Sequence, residues 1–326
     1  MSFIEVKHIN KTFKVPIKEE GRFGTLKSFF NRKYQYIKAI QDISFSIKKG
    51  EIVGYIGPNG AGKSTTIKIL SGILVPDSGS VTIDKMTPWL ERRRYVSEIG
   101  VVFGQRSQLW WDIPAIDSFS LLKDIYKIPD NEYQKTLNEL VELLNLKDII
   151  NIPVRQLSLG NRMKCEIAAS LLHKPKILFL DEPTIGLDAV SKKTVREFIK
   201  KINKQNNVTV ILTTHDMSDI EALAKRIILI GKGKKLYDGT ITKLKNNYDY
   251  LRKIKIVSKE KIKLKRNYIV KQINRKDEME FIIDTRKVEL SDFIKLISSK
   301  ISIIDIDVMS NNIDDLIVKL YEEYNI

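Results

Sequence analysis

The residues most capable of chemistry lie in a glycine-rich segment that ends in a lysine and a serine. Residues 57–64 read GPNGAGKS, a full match to the pattern G-x-x-x-x-G-K-[ST]. An apolar run precedes the match at residues 52–56, and a helical pattern follows it over residues 64–70. A short glycine-rich segment can also be a plain turn, but this strand–loop–helix context favours a loop that binds the phosphates of a nucleoside triphosphate.

Each position of this loop has an expected role toward the phosphates. Glycine lacks a Cβ, so backbone N–H groups can approach a phosphate closely, and the N-terminus of the following helix adds its positive dipole end. The ammonium group of Lys63 is expected at the β- and γ-phosphates, and the Ser64 hydroxyl is expected to ligate Mg²⁺. The predicted nucleotide-binding residues here are Gly57, Pro58, Asn59, Gly60, Ala61, Gly62, Lys63, Ser64 and Thr65.

Two adjacent carboxylates follow a second apolar run, at residues 177–180. A continuous apolar run is typical of a buried parallel strand, and ligands bind at the carboxyl ends of such strands. Asp181 is therefore predicted to hold Mg²⁺, as the Walker B aspartate does. Glu182 is predicted to orient or deprotonate the attacking water. A solvated loop at a strand end is the alternative, which the phosphate-binding loop elsewhere in the chain disfavours.

Length and composition indicate two folded domains. The chain has 326 residues, of which 43% are hydrophobic, and a domain takes about 150 residues on average. The single cysteine, Cys165, excludes an internal disulfide and fits a reducing compartment. No run reaches the roughly 18 apolar residues of a membrane span, and the N-terminus lacks a signal-peptide apolar region. We expect a soluble chain that requires a separate membrane partner for any transport.

The net charge of +16 raises the possibility of a nucleic-acid partner, which the pattern does not favour. Fifty-six basic residues are spread along the chain among 40 acidic ones, without a zinc-finger, helix-turn-helix or RRM signature. We expect no specific nucleic acid. An excess of lysine favours a peripheral location near the anionic headgroups of the cytoplasmic membrane face.

The order of several motifs resembles the ATP-binding subunit of ABC transporters over roughly residues 1–240. After the phosphate-binding loop come LSLGN at residues 157–161, the Asp181-Glu182 pair, Leu187-Asp188 and His215. The first of these corresponds to the family signature, usually LSGGQ, from which Leu159 and Asn161 depart. The resemblance implies that Ser158 and Gly160 contact the γ-phosphate of ATP held by the opposite subunit, either a second copy or a paralogous ATPase subunit.

Two more site residues follow from the same resemblance. Gln105 looks like the Q-loop glutamine, which contacts both the nucleotide and its Mg²⁺ and leads into the helical subdomain. Gln108 is a rival, because Gly104 makes the stretch one residue longer than usual. His215 follows an apolar strand and resembles the H-loop histidine that contacts the γ-phosphate, so Glu182 and His215 are the predicted catalytic residues.

An aromatic residue is also expected to stack on the adenine. Phe13 is the candidate, and Tyr36 is the alternative. At either position, an aromatic side chain that packs in the protein core is nearly as good an explanation as one that stacks on adenine.

A basic segment at residues 15–38 is long for this family. Phe23, Leu26, Phe29, Phe30, Tyr34 and Ile37 fall near helical spacing among basic residues. The pattern predicts a basic amphipathic helix on a membrane or partner, or else a connection folded onto its own domain. This segment and the Trp110-Trp111 pair after the Q-loop resemble the branch of the family that exports drugs and polysaccharides.

The predicted fold is α/β, because strands of parallel type alternate with helices. By resemblance it is a P-loop NTPase with a RecA-like core sheet, an antiparallel β subdomain and a helical subdomain at about residues 105–165. Residues 241–326 form strand and helix patterns without a catalytic motif, which predicts a small α+β accessory or regulatory domain.

The predicted function is hydrolysis of ATP, with Mg²⁺, to drive a separate polytopic membrane permease, for export. The alternative is a soluble ABC-type ATPase that acts on ribosomes or nucleic acid. Such proteins usually carry two ATPase domains or a long coiled coil. This chain has one phosphate-binding loop and no sustained heptads before Asp181.

Overall fold

The computed structural model of the chain describes residues 2–16, 34–104, 107–248, 250–264, 269–275, 278–309 and 313–324. The chain divides into two units, Met1–Asp238 and Gly239–Ile326. Gln105 and most of the basic segment at residues 15–38 lie outside the described residues.

The first unit contains both strands and helices, and its last strand runs two residues beyond Asp238. In chain order it contains β1 (Ile4–Pro16), β2 (Tyr34–Ile47), β3 (Ile52–Ile56), α1 (Lys63–Leu70), β4 (Ser78–Ile83), α2 (Arg92–Val96), β5 (Ile99–Phe103), α3 (Ala115–Tyr126), α4 (Asp130–Leu143), a 3₁₀ turn (Val154–Gln156), α5 (Leu159–Leu171), β6 (Ile177–Asp181), α6 (Ala189–Asn206), β7 (Thr209–Thr213), α7 (Met217–Leu223), β8 (Arg226–Gly231) and β9 (Lys234–Thr240).

The short apolar runs of the sequence form the core sheet. Within the described ranges its strand order is β5-β6-β7-β3-β8-β9, and the pairs from β5 to β8 are parallel. Because helices cover both faces of such a sheet, its strands are apolar on both sides. The register sets Phe103, Asp181 and Thr213 side by side at the carboxyl ends of their strands. The loops that leave these strands therefore begin at one edge of the sheet.

A second sheet of the first unit is antiparallel and, in the part of the chain described, has the order β2-β1-β4. Its apolar side chains join those of α1 and the core sheet in one buried cluster, which includes Ile4, Val6, Ile67 and Phe179. Burial of each large aliphatic or aromatic side chain contributes about 1.5–3 kcal/mol. This packing fixes the helix that begins at Lys63 against the sheet.

The helical stripe expected within residues 15–38 is wrong at its C-terminal end. Tyr34 and Ile37 lie in β2, which pairs with β1 as far as Pro16 opposite Tyr34. Pairing with a neighbouring strand overrides the local spacing, since a few apolar residues near helical period also fit an extended chain. Phe23, Leu26, Phe29 and Phe30 fall outside the described residues.

The helices between β5 and β6 form the predicted helical part of the first unit. Pro129 precedes α4 and separates it from α3, since its fixed φ suits the residue before a helix start. Trp110 and Trp111, which precede α3, are 42% and 50% exposed. None of the helices in the described ranges is long and apolar enough to cross a membrane.

The second unit is an α+β structure. It contains α8 (Ile241–Tyr248), β10 (Leu251–Val257), β11 (Lys271–Asn274), β12 (Glu278–Asp284), α9 (Leu290–Ser298), β13 (Asp305–Met309) and α10 (Ile313–Glu323). In its described portion the sheet order is β11-β12-β10-β13, with every pair antiparallel. Phe281 and Phe293 meet edge to face at 5.5 Å in its own core.

Candidate active site

The phosphate-binding loop connects β3 to α1 in the conformation that its glycines require. Gly62 precedes α1 with a φ of 104°, in the left-handed region that disfavours residues with a Cβ. A Cβ at Gly57 would lie 2.5 Å from the main-chain oxygen of Ile230. Both glycines are thus needed for the path of the loop, which ends with the N-terminus of α1 and its free N–H groups.

Lys63 folds back over this loop. Its Nζ donates to the main-chain oxygens of Gly57, at 2.7 Å, and of Pro58, at 3.1 Å. Desolvation lowers the pKa of Lys63, and the carboxylates of Glu182 and Asp181 oppose that shift. The ammonium group is therefore held close to the loop, within the field of the Glu182 carboxylate, the predicted base, and of Asp181, the predicted Mg²⁺ ligand.

The two carboxylates lie at the end of β6. Asp181 is half-buried, and its Oδ1 accepts a hydrogen bond from the Thr213 hydroxyl on the adjacent strand, β7. Glu182 adopts a φ of 58°, a left-handed conformation that is uncommon and strained for a residue with a side chain. Its N–H bonds the main-chain oxygen of Thr213 at 3.0 Å. The chain thus leaves the strand abruptly at Glu182.

His215, in the loop after β7, lies beside Glu182 and Lys63. Its Nε2 lies 2.9 Å from Oε1 of Glu182 and 3.5 Å from Nζ of Lys63. The structure therefore brings together three predicted site residues from three separate segments. Glu182 is mostly buried, whereas His215 is partly open to solvent.

The residues predicted to hold Mg²⁺ have suitable chemistry. Mg²⁺ prefers oxygen ligands and usually takes one or two protein ligands together with phosphate oxygens and water. Ser64 presents an exposed hydroxyl in the first turn of α1, and the Asp181 carboxylate is oriented by Thr213. Both therefore fit the ion, while Gln105, the third predicted ligand, lies outside the described residues.

Gln108, the alternative Q-loop glutamine, has a contact of its own. Its Nε2 donates to the main-chain oxygen of Glu166 at 2.8 Å, and its N–H bonds the Glu166 carboxylate at 3.1 Å. Glu166 is buried in α5, and burial raises the pKa of its carboxyl. Gln108 thus attaches the segment after β5 to the signature helix.

The signature residues form the N-terminus of α5. The Ser158 hydroxyl accepts a hydrogen bond from Asn161 N–H at 3.2 Å, so Ser158 caps the helix. Gly160 is buried, and a Cβ there would lie 3.0 Å from Oγ of Ser191 in α6. Ser158 and Gly160 therefore lie at a helix N-terminus, which favours contact with an anion.

Leu159, which departs from the family signature, packs against the loop that follows Glu182. It is 37% exposed, and a Cβ on Gly186 would lie 2.5 Å from its Cδ2. The larger side chain is thus accommodated because residue 186 is a glycine.

The two aromatic candidates lie on the β1–β2 pair. Phe13 is half-buried in β1, with the Lys11 ammonium 5.9 Å from its ring centre. Tyr36 in β2 is 65% exposed. Phe13 and Tyr36 stay candidates for stacking on adenine.

Sequence reasoning gave no role to the residues directly behind this cluster. Thr184, Thr214 and Asp219 are buried, and both threonine hydroxyls donate to the Asp219 carboxylate. The local signal was weak, because a threonine near a strand end is an ordinary residue and Asp219 sits in a short amphipathic helix.

The fold and this cluster define a P-loop ATPase. The family described as ABC transporter matches residues 40–185. The chain is 33% identical over 215 residues to the ABC transporter ATP-binding protein NatA of Bacillus subtilis, an alignment that covers 66% of this chain and 87% of that protein. It is 36% identical to the linearmycin resistance ATP-binding protein LnrL of the same species, over 63% of this chain and 65% of that protein.

Other relatives and solved structures agree with that class. A methionine import ATP-binding protein of Bacillus cereus is 30% identical over 67% of this chain and 66% of its own length. A dimeric ATP-binding cassette in a post-hydrolysis state, bound to ADP and phosphate, superposes with a TM-score of 0.61 at 27% identity, over 73% of this chain and 98% of that one. CbiO1 of Clostridium perfringens, described as part of an ABC transporter complex, gives 0.60 at 25% identity, over 74% and 90%.

The chain belongs to the ABC transporter family. It is an ATP-binding subunit with ATPase activity, and cassettes of this family dimerise and work with membrane permease components.

Proposed function

We propose that ATP hydrolysis by this subunit drives export through a separate polytopic permease, at the cytoplasmic face of the membrane. The observation that supports the direction is the 36% identity to a linearmycin resistance ATP-binding protein, because export of a toxic compound is one way in which a transporter gives resistance. The relative named for methionine import is less similar, at 30% identity, and the vesicle experiment below separates the two directions.

The proposed reaction uses the cluster at the carboxyl ends of β3, β6 and β7. Lys63 and the loop N–H groups neutralise and orient the β- and γ-phosphates. Glu182 accepts the proton of the attacking water through its carboxylate. His215, whose Nε2 lies 2.9 Å from Oε1 of Glu182, orients that carboxylate, and as Glu182 takes the proton the same N–H turns to the charge that develops on the γ-phosphate.

Mg²⁺ completes the proposed site. Ser64, Asp181 and Gln105 would hold it, and the ion would supply charge neutralisation at the phosphate oxygens. The support for this assignment is the oxygen chemistry of Ser64 and Asp181.

The proposed active form is a dimer with ATP between the phosphate-binding loop of one subunit and the signature of the other. Ser158 and Gly160 lie at the N-terminus of α5, whose dipole favours the γ-phosphate of the opposite nucleotide. The similar cassette bound to ADP and phosphate is itself dimeric, which supports this arrangement.

For the second unit we propose an accessory or regulatory role. The outer face of its sheet carries paired charges, with Lys253 3.0 Å from Glu280 and Lys255 2.7 Å from Glu278. Such mutual pairing is typical of a solvated face. The alternative of a soluble ATPase acting on ribosomes or nucleic acid is not favoured by the comparisons.

Two measurements test the proposal. A tagged chain purified from native membranes should bring down a polytopic protein, and recovery without any membrane protein would contradict the permease assignment. Inside-out vesicles that hold both proteins should then concentrate a lipophilic fluorescent compound when ATP is added. Vesicles carrying Lys63→Ala should not do so. ATP-dependent loss of the compound from preloaded inside-out vesicles would instead indicate import.

A further inference from the structure

Asp219 is a charged side chain without exposure to solvent. It lies in the first turn of α7 and has 0% relative exposure. An ionised carboxylate in such a place is costly unless it is paired and hydrogen-bonded. Its contacts therefore indicate why the chain keeps it there.

Three elements donate to this carboxylate. The hydroxyls of Thr184 and Thr214 both donate to Oδ2, the latter at 3.2 Å. On the other side, Arg196 of α6 donates from Nε to Oδ1 at 2.5 Å and forms an ion pair with the same oxygen. The charge is thus compensated, and both carboxylate oxygens are occupied.

The two threonines belong to the loops that carry the predicted catalytic residues. Thr184 is separated from Glu182 only by Pro183, whose ring restricts the backbone between them. Thr214 immediately precedes His215. A single oxygen, Oδ2 of Asp219, therefore accepts a hydrogen bond from the loop of Glu182 and another from the loop of His215.

Arg196 makes the arrangement rigid. It also bonds the Ser218 hydroxyl at 2.7 Å, and it lies 3.8 Å from Asp216, which precedes α7. The carboxylate is thereby fixed relative to α6 and α7. In a dry environment such charge-assisted bonds are stronger than those at the surface.

We propose that Asp219 is a positioning residue for ATP hydrolysis, joining the loop of Glu182 to the loop of His215 so that the two side chains stay in contact. The inference rests on the proposed roles of Glu182 and His215. Loss of the link should leave nucleotide binding intact, because no atom of the phosphate-binding loop takes part, and should lower turnover.

Asp219→Asn is the first test, measured on the full chain as phosphate release and as titration with a fluorescent ATP analogue. The amide preserves shape but offers a donor where Oδ2 now accepts two bonds. We expect kcat to fall at least about tenfold, with KM and the dissociation constant of the analogue within about twofold. Asp238→Asn is the matched control, since Asp238 forms a bidentate pair with Arg226, at 2.8 and 3.1 Å, in β8 and β9.

The control separates positioning from stability. Asp238→Asn should lower the melting temperature and leave kcat unchanged. An Asp219→Asn variant that is destabilised in the same way, but turns over at the wild-type rate, would overturn the proposal.

A second variant leaves the buried ion pair in place. Thr184→Val with Thr214→Val removes both hydroxyls and keeps the Asp219–Arg196 contact, so it stays informative if Asp219→Asn does not fold. We expect a lower kcat with unchanged analogue binding, and an unchanged kcat would contradict the link. If Glu182→Gln itself had no effect, the proposed roles would fail instead, which distinguishes the two claims.

Discussion

His215 Nε2 lies 2.9 Å from Oε1 of Glu182, at the ends of two neighbouring parallel strands. The same nitrogen is 3.5 Å from Nζ of Lys63. The imidazole thus connects a carboxylate suited to activate water with a cation suited to bind phosphate. The adjacent strand ends and the strained φ of Glu182 produce this contact, rather than proximity in sequence.

We expect His215→Ala to lower kcat by about 10²–10³, the usual cost of losing one donor to a developing negative charge. ATP binding should change little, because Lys63 and the loop remain. Phosphate release and fluorescent-analogue titration measure the two quantities. His8→Ala is the matched control, since His8 is an exposed histidine 2.7 Å from the Asp42 carboxylate, and its turnover should equal that of the wild type. A weaker dissociation constant with unchanged kcat would instead assign His215 to binding.

Lys63→Ala should abolish nucleotide binding, because it removes the cation placed at the phosphates. The expected observation is that millimolar ATP raises the melting temperature of the wild type and leaves that of Lys63→Ala unchanged. Lys68→Ala, on the last turn of the same helix, should respond to ATP as the wild type does. A normal ATP response by Lys63→Ala would place the phosphates elsewhere.

The ATP-bound dimer should depend on the N-terminus of α5. In a Glu182→Gln background, which is expected to retain ATP, the chain should elute as a dimer in size-exclusion chromatography. Ser158→Arg should return it to a monomer, since it adds bulk and charge where the opposite nucleotide would lie. Ser97→Arg, at an exposed serine directly after α2, should not affect the dimer. A monomer in all variants at saturating ATP would contradict the two-subunit arrangement.

Asp216 should make stability depend on pH in the acid range. Burial alone would raise its pKa, but hydrogen bonds from Lys192 and Ser218 outweigh burial and lower the pKa to about 2. The pKa of an aspartate in an unfolded chain is about 3.9, so folding favours the charged form of Asp216. The stabilisation is complete above about pH 4 and is lost as the pH falls toward about 2.

The corresponding test is Asp216→Asn. It should lower the free energy of unfolding at pH 7 by about 1–2 kcal/mol, and by progressively less as the pH falls below about 4. Denaturant titrations at pH 7, 4 and 3 measure the difference. A difference that stays constant over this range would show that the pKa of Asp216 is not lowered by folding.

The parts of the candidate site whose chemistry is local can be identified from sequence. The glycines, lysine and serine of the loop from Gly57 to Ser64 lie within eight consecutive residues, so the motif can be recognised directly. Asp181 comes directly after the apolar run at residues 177–180, which marks it as the end of a strand. The positive φ of Gly62 and the fold of Lys63 onto its loop agree with that reasoning.

Contacts between distant segments could not be predicted in this way. The 2.9 Å distance between Glu182 and His215 depends on the register of β6 against β7, and the bonds to Asp219 join residues from several elements. Tyr34 and Ile37 fit helical spacing, and spacing alone cannot show that β2 pairs with β1. The packing of Leu159 on Gly186 likewise needs two segments to be known at once.

The most direct test of the account is single-turnover hydrolysis by Glu182→Gln. The variant should bind ATP as tightly as the wild type, because the amide leaves Lys63 and the loop unchanged. Its rate of phosphate release from bound ATP should fall by at least about 10², because the amide cannot take the proton of water. Hydrolysis at the wild-type rate, with binding confirmed in the same sample, would contradict the assignment of Glu182 as the base.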